Sequence, residues 1–306
     1  MANGDLILTV LAPRLTADIQ AQIDALIVQF GLQQKSTQRL ADIQQGESID
    51  CVEQRLVGEV DVEAVRNAAL VLSETLGVDI VIQADTRDHV QPRLVCFDMD
   101  STLIKAEVID ELARRHGVGE EVAEVTERAM RGELDFKASF RERMSKLGGL
   151  DESVLAEIAA ELPLMDGVER LMVNLKRLGY RTAILSGGFT YFALHLQEKL
   201  GFDEIHANEL IIEEGKVTGA VSEPIVDAER KAALLESIAL REGFSLGQTI
   251  AVGDGANDLK MLAKAGMGVA FRAKPLVRAQ ARQAISSVGL DGVLYLLGYH
   301  QQDLTP

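Results

Sequence analysis

Three short apolar segments, each followed at once by small and polar residues, constrain the fold of this chain more than any other feature. Short apolar runs separated by helical stretches are typical of strands buried in a parallel sheet. The three runs and the residues that follow them are Leu94–Phe97 before Asp98–Thr102, Thr182–Leu185 before Ser186–Phe189, and Thr249–Val252 before Gly253–Asp258. Ligands bind at the carboxyl ends of strands in open α/β sheets. The pattern therefore predicts an α/β fold with one polar site built from three loops.

The first loop carries two aspartates, Asp98 and Asp100. Two carboxylates with this spacing can divide the work of phosphoryl transfer. One can attack the phosphorus atom, while the other protonates the leaving group and later activates water. Because Asp-x-Asp is also common in solvated turns, the pair alone leaves both interpretations open.

The other two loops carry side chains suited to a metal ion and to a phosphate group. Asp254 and Asp258 are hard oxygen donors of the kind that Mg²⁺ prefers, and Asn257 can contact a substrate or orient the metal shell. The hydroxyl of Ser186 and the amide of Gly187 precede a predicted helix, where they can cradle phosphate. Taken singly, the Asp254–Asp258 pattern also fits a turn that caps a helix. The Ser186-Gly187 pattern alone is weak evidence for a phosphate site.

The segments between these loops predict two insertions. Residues 107–178 are rich in helix-forming residues and contain one proline, Pro163, which predicts several amphipathic helices. Residues 208–225 contain Ile211 and Ile212 followed by Glu214-Gly215-Lys216, which predicts a β-hairpin. Two further apolar runs, at 268–270 and 284–288, extend the predicted sheet.

In combination, the three loops resemble the motifs of the haloacid dehalogenase-like (HAD) superfamily of phosphotransferases. Asp-x-Asp-x-Thr, Ser-Gly-Gly and Gly-Asp-Gly-x-Asn-Asp occur in this order, with Lys231 between the last two. The resemblance covers residues 93 to about 298. It implies a Rossmannoid parallel sheet in a domain at 93–306, with a helical cap inserted at about 107–170.

The resemblance also implies a role for each motif residue. Asp98 is expected to be the nucleophile that forms an aspartyl-phosphate, and Asp100 the general acid and then the base. Mg²⁺ is expected to be held by Asp98, Asp254 and the backbone carbonyl of Asp100, with Asp258 close by. The remaining site residues that the resemblance implies are Ser186, Gly187 and Lys231 for phosphate, with Asn257 lining the site.

Within the superfamily, the chain resembles the branch that acts on O-phosphoserine, through Glu107, Phe136 and Arg143. Glu107 is expected to contact the substrate ammonium and Arg143 to pair with its carboxylate, a geometry that guanidinium suits. Phe136 is expected to pack over the substrate. The implied activity is Mg²⁺-dependent hydrolysis of O-phospho-L-serine in L-serine biosynthesis. The alternatives are another small phosphomonoester, phosphoryl transfer to a second alcohol, or an amino-acid-binding regulatory protein with an inactive phosphatase half.

The first part of the chain has a different pattern. Residues 1–88 read as βαββαβ, which predicts a ferredoxin-like α+β domain that resembles the ACT-type amino-acid-sensing module. That family often has a glycine in the turn after the first strand, and here the turn, residues 12–16, has none. We therefore expect this domain to pack on the catalytic domain, to mediate a homodimer, or to do both, rather than to bind an effector.

Composition excludes several other classes of function. The formal net charge of −16 makes the chain a poor candidate for binding nucleic acid or an anionic membrane surface. Two cysteines, Cys51 and Cys96, are too few for a disulfide framework and are expected to be reduced core residues. The sequence shows neither a signal-peptide pattern nor a membrane-spanning apolar run. These features predict a soluble cytoplasmic protein.

Overall fold

The computed structural model describes residues 2–87 and 89–306, whose strands form two main sheets and a separate hairpin. Met1 and Asp88, the outer bounds of the predicted first domain, lie outside the described residues. The predicted α/β class, with an antiparallel sheet before a parallel one, is confirmed. The division into two domains at these bounds stays a prediction.

The first part of the chain forms a four-stranded antiparallel sheet in the order β2-β3-β1-β4, with two helices. This is the ferredoxin-like arrangement that the βαββαβ pattern predicts. The side chain of Asp61 caps the second helix by accepting from the backbone amides of Glu63 and Ala64, and Gly77 ends that helix at a φ of 65°. The elements are β1 (Ala2–Ala12), α1 (Ala17–Gln29), β2 (Gln33–Ala41), β3 (Asp50–Val60), α2 (Val62–Leu76) and β4 (Asp79–Ala84).

The second part forms a six-stranded parallel sheet in the order β12-β11-β10-β5-β6-β7, and β8 pairs with β9 in the predicted hairpin. The three strands that precede the motif loops are neighbours at its centre. The elements are β5 (Leu94–Phe97), α3 (Val108–His116), α4 (Gly119–Met130), α5 (Phe136–Lys146), α6 (Ser153–Glu161), α7 (Val168–Arg177), β6 (Arg181–Phe189), α8 (Thr190–Leu200), β7 (Glu204–Asn208), β8 (Leu210–Glu213), β9 (Lys216–Val221), α9 (Ala228–Arg241), β10 (Thr249–Gly253), α10 (Leu259–Lys264), β11 (Met267–Phe271), α11 (Pro275–Gln280), β12 (Gln283–Ile285) and α12 (Gly292–Leu296).

Helices α3 to α6 lie between β5 and β6 in the chain and form a cap over the carboxyl edge of the sheet. The hairpin is joined to this cap by backbone hydrogen bonds. The amide of Gly149 donates to the carbonyl of Val217, and the amide of Val217 donates to the carbonyl of Leu150, both at 2.8 Å. The hairpin therefore connects one end of the cap to the sheet domain.

The antiparallel sheet packs on the parallel-sheet part through a shared apolar core. Leu11 and Val81 belong to the same buried cluster as Val293 of α12. At the edge of this contact, the buried carboxylate of Asp79 accepts from the backbone amides of Ser286 and Ser287, at 2.8 and 3.0 Å. The packing that the sequence predicts for the first domain is thus present in the structure.

Within residues 2–87 and 89–306, the structure contains no helix whose length and apolar character would suit a membrane span. Both cysteines are buried and unpaired by disulfide, as predicted.

Candidate active site

The loops at the carboxyl ends of β5, β6 and β10 lie side by side, because these strands are neighbours in the order β10-β5-β6. The second of them, Ser186–Phe189, is the irregular last part of β6, which is longer than the predicted strand Thr182–Leu185. The hydroxyl of Thr102 in the first loop donates to Oδ1 of Asp254 in the third, at 3.1 Å. The backbone of Gly188 lies against the first loop so closely that a β-carbon there would be 2.6 Å from Oδ2 of Asp100. The three motifs are therefore one site.

Asp98 is buried at the end of β5, where its amide donates to the carbonyl of Val252 at 2.9 Å. The chain then turns sharply, with Ser101 in the left-handed region at a φ of 56°. The hydroxyl of Ser101 donates to Oε1 of Glu107 at 2.6 Å. This turn directs the chain from the sheet into the cap and places Glu107 beside the first loop.

Lys231 is fully buried and joins the first and third loops. Its Nζ donates to Oδ1 of Asp98 at 2.6 Å and to Oδ1 of Asp258 at 2.7 Å. Burial lowers the pKa of Lys231, but the carboxylates of Asp258 and Asp98 outweigh that effect and raise it, so the ammonium stays charged. The other oxygen of Asp258 accepts from the backbone amides of Asp254 and Gly255. Asp258 thus orients both the lysine and the third loop.

Carboxylate oxygens of Asp98, Asp254 and Asp258 lie within 4.8 Å of one another. Burial and the neighbouring charge of Asp258 raise the pKa of Asp254 to about 7 and hold that of Asp98 well above its usual range. One lysine does not offset three carboxylates, so the cluster fits a divalent cation with hard oxygen ligands. The side chain of Asp100 is not part of this cluster.

The carboxyl group of Asp100 instead faces the start of the cap. Its Oδ1 accepts from the backbone amide of Val108, in the first turn of α3, at 3.1 Å. Burial and the charge of Glu107 raise the pKa of Asp100 to about 8. A carboxyl group that keeps its proton near neutral pH is suited to act as a general acid.

The cap contributes three of the site residues predicted from the sequence: the charged residues Glu107 and Arg143, and the aromatic residue Phe136. Arg143, in the last turn of α5, has a buried Nε without a hydrogen-bond partner among the described residues. Burial lowers the pKa of Arg143, while Asp110, Glu107 and Asp100 act in the opposite direction. The ring of Phe136 lies over the second loop, with Cζ 3.3 Å from where a β-carbon on Gly187 would be.

A cleft of about 580 Å³ opens between the cap and the sheet domain. Its walls include Met130 and Phe136 from the cap and Asn257 from the third loop, with Arg143 at the cap side. The cleft therefore leads from the surface to Phe136 and Asn257, which lie against the second loop, Ser186–Phe189, called the phosphate loop below.

Asp110 has no counterpart in the sequence analysis, and Gly188 appears there only as part of the Ser-Gly-Gly motif. Asp110 lies one turn after Glu107 on α3, where it influences the pKa of Arg143. Glu107 and Asp110 are three positions apart, which places them on the same face of a helix. This spacing is the sequence signal by which Asp110 could have been found. Gly188 is the second glycine of a pair, and only the close approach of Asp100 shows why a side chain is excluded there.

A buried carboxylate at a strand end, a lysine beside it, a protonated second carboxyl and a glycine-rich loop define an α/β phosphotransferase that works through an aspartate. The chain belongs to the haloacid dehalogenase-like hydrolases, since the model of that family matches residues 92–266.

Similar proteins within this family have names that are more specific than the description of the family. A phosphoserine phosphatase of Streptomyces coelicolor is 46% identical over 301 residues, which is 98% of this chain and 72% of that protein. A probable phosphoserine phosphatase from Vibrio cholerae superposes with a TM-score of 0.77 at 37% identity, covering 98% of this chain and 89% of that one. A substrate-bound phosphoserine phosphatase structure matches with a TM-score of 0.63 at 41% identity, covering 67% of this chain and 98% of its own.

Proposed function

We propose that this protein is a Mg²⁺-dependent phosphatase that hydrolyses O-phospho-L-serine to L-serine and inorganic phosphate through an aspartyl-phosphate on Asp98. The observation that carries the substrate is the presence on the cap of a carboxylate and a guanidinium, Glu107 and Arg143, whose charges influence each other and Asp100. A substrate with both an ammonium and a carboxylate group matches this pair of charges. The relatives named phosphoserine phosphatase support the same substrate.

The phosphate group would lie between the second loop and Lys231. Ser186 and Gly187 bind its oxygens, and Asn257 lines the same space. The charge of Lys231 favours the ionised form of Asp98, against the effects of burial and Asp258 that raise its pKa, and it offsets the negative charge of the phosphate. Asp98, Asp254 and the backbone carbonyl of Asp100 would hold Mg²⁺, which would supply further positive charge to this region, and Asp258 orients the lysine.

The reaction proceeds in two displacements. A carboxylate oxygen of Asp98 attacks phosphorus, and the P–O bond to the serine side chain breaks while Asp100 transfers its proton to that oxygen. Asp100, now ionised, then accepts a proton from a water molecule whose oxygen attacks the same phosphorus. The bond to Asp98 breaks, inorganic phosphate leaves, and both aspartates return to their initial states. The cap excludes bulk water during the first step.

The alternatives make different use of the same site. An inactive phosphatase half would be expected to lack one of the central groups, but Asp98, Asp100, Ser186, Lys231 and Asp254 are all present. A phosphomonoester without both an ammonium and a carboxylate group would leave at least one charge on the cap without a partner, so we favour phosphoserine as the donor. Release of inorganic phosphate, rather than formation of a new ester, distinguishes water from a second alcohol as the acceptor.

We propose that the N-terminal domain packs on the catalytic part, mediates a homodimer, or does both. Its packing on the catalytic part covers one side of the antiparallel sheet, while β2 is an edge strand with mostly exposed side chains. An edge of this kind can pair with a second copy of the chain. A cytoplasmic location fits an enzyme of amino-acid biosynthesis and stays a prediction.

The test is phosphate release from a panel of esters by the full chain, with Mg²⁺ and with EDTA in its place. We expect O-phospho-L-serine to have the highest kcat/KM, and EDTA to abolish turnover. The Asp98→Asn variant should lose at least about 10³-fold in activity, the scale seen when a covalent catalytic group is removed. Preference for another ester, or near-normal turnover by Asp98→Asn, would contradict the proposal.

A further inference from the structure

Asn208 is buried at the end of β7, beside the phosphate loop, and has no role in the mechanism described above. Strands β6 and β7 pair regularly as far as Leu185 and pair again at Phe189 and Asn208. The three residues between these points, Ser186 to Gly188, leave the regular ladder. A loop that leaves a sheet edge needs other partners for its backbone groups.

The side chain of Asn208 supplies one of these partners. Its Nδ2 donates to the carbonyl oxygen of Gly187 at 2.9 Å, while the amide of Gly188 donates to Oγ of Ser186 at 2.9 Å. Both ends of the peptide unit between the two glycines are therefore fixed. Oγ of Ser186 accepts this hydrogen bond through a lone pair and keeps its own hydrogen as a donor, which can point to a phosphate oxygen.

The same amide group also reaches the segment before α9. Oδ1 of Asn208 accepts from the backbone amide of Val226 at 2.9 Å. The next residue, Asp227, caps α9 by accepting from the amide of Arg230, and that helix carries Lys231 in its first turns. Asn208 thus connects the two elements that supply the phosphate-binding groups.

We propose that Asn208 is a positioning residue for phosphate binding: it fixes the Gly187–Gly188 peptide, and through it the Ser186 hydroxyl, relative to the helix that carries Lys231. The inference rests on the proposed function in that the bound phosphate is the one released from Asp98. It goes beyond that function because Asn208 touches neither substrate nor metal in the mechanism.

This role predicts a selective defect. Without the Asn208 side chain, the glycine carbonyl and the Val226 amide lose their partners, and the loop can rotate away from its binding orientation. The amino and carboxylate groups of serine are bound from the cap, by Glu107 and Arg143, so their binding should not change. Loss of a residue that only stabilised the fold would weaken the binding of both phosphate and serine, or of neither.

The experiment measures binding of inorganic phosphate and of L-serine, separately, to the Mg²⁺-loaded full chain by calorimetry. Asn208→Leu keeps the approximate shape and removes both hydrogen bonds, while Asn208→Asp keeps an acceptor for Val226 and loses the amide donor to Gly187. We expect phosphate to bind about 10- to 100-fold more weakly to both variants, the range for unpaired buried groups. Serine affinity should stay within about twofold of wild type, well below the tenfold that 1.4 kcal/mol represents.

Asn174 provides a matched control. It is also fully buried, and its Nδ2 donates to the backbone carbonyls of Arg170 and Thr305, far from the phosphate loop. Asn174→Leu should lower the melting temperature and should not change the ratio of phosphate affinity to serine affinity. If Asn208→Leu does not fold, Asn208→Asp carries the test alone.

Unchanged phosphate affinity in a folded Asn208 variant would overturn the inference. Equal losses for phosphate and serine would also overturn it, because they would indicate a general structural role. Failure of the proposed function has a different signature: the wild-type chain would not hydrolyse phosphoserine and would not bind serine, whereas the effect of Asn208 on phosphate would still be measurable.

Discussion

Asp100 shows how the surroundings of a single residue can set its chemistry. Its carboxyl group lies in the same loop as the nucleophile, yet it faces the amide of Val108 and the charge of Glu107 rather than Lys231. Burial and Asp258 raise the pKa of Asp98, while the hydrogen-bonded ammonium of Lys231 acts in the opposite direction and favours the ionised form. Two aspartates two residues apart therefore take different roles because the fold gives them different neighbours.

Replacing Asp100 by Asn tests the acid role. The amide keeps the shape but cannot give a proton to the leaving oxygen, so transfer from phosphoserine should slow by about 10²–10⁴-fold, a typical general-acid contribution. Transfer from p-nitrophenyl phosphate should slow much less, because its leaving group needs little protonation. Rapid-quench kinetics of the first step measure both. Equal losses for the two substrates would mean that Asp100 is not the acid, and Asp50→Asn, at a buried aspartate of the N-terminal domain, serves as the control.

At this scale, sequence motifs identify residues that follow a strand directly, and they miss those that act through contacts. The two aspartates, Ser186 and the Asp254 loop could be selected because each stands at the end of an apolar run. Asn208 follows a half-buried segment and carries no motif, and its two backbone contacts come from residues 21 and 18 positions away. Such a role depends on three-dimensional neighbours that no local pattern contains.

Among the structural elements, the phosphate loop lies closely against the proposed general acid. A β-carbon on Gly188 would lie 2.6 Å from Oδ2 of Asp100 and 2.8 Å from Cε of Met99. The loop can approach the acid only because this residue has no side chain.

Gly188→Ala should therefore displace the loop or the carboxyl group and lower kcat/KM for phosphoserine by about 10²-fold or more, as small misplacements of reacting groups do. Steady-state kinetics and thermal unfolding, measured together, separate this from a loss of folding. Gly119→Ala is the control, since the nearest atom to a β-carbon there is 3.9 Å away. A Gly188→Ala variant with normal activity would show that the close approach is not needed for catalysis.

The elements themselves could be predicted where hydrophobic periodicity was strong. The βαββαβ order and the three motif strands follow from it, as does the hairpin at 210–221. Strand β7, at Glu204–Asn208, was not predicted, because it is a short edge strand whose side chains are mostly half-buried and mix charge with apolar residues. The bonding of the hairpin to the cap joins residues about 70 positions apart and has no sequence signal.

For the whole molecule, the two sheets share a core and polar contacts. Arg170 in the catalytic part pairs with Glu47 in the N-terminal part at 2.9 Å and with Asp291 at 3.1 Å. The reacting groups, however, all lie after residue 93. Solved phosphoserine phosphatases that match only 67% of this chain nevertheless match over 98% or more of their own length.

We therefore expect a chain of residues 89–306 to keep kcat/KM within about tenfold, because the active-site contacts are intact. Its melting temperature should fall by about 5 °C or more, since a loss of about 2 kcal/mol has this effect at such a size. Calorimetry, enzyme kinetics and light scattering on both chains test this. An unchanged number of chains per particle would contradict a dimer through the N-terminal domain, and a serine site that disappears only on truncation would contradict the expectation that this domain binds no effector.

The central claim is that the cap recognises the amino-acid part of phosphoserine. The most direct measurement is the ratio of kcat/KM for O-phospho-L-serine to that for O-phosphoethanolamine, which lacks the carboxylate, in the wild type and in Arg143→Ala. We predict a strong preference for phosphoserine in the wild type. In Arg143→Ala that preference should fall by about 2–4 kcal/mol, the value of a charge-assisted pair whose partner is left unpaired. Equal losses for both substrates, or a wild type that does not distinguish them, would contradict the assignment of phosphoserine as substrate.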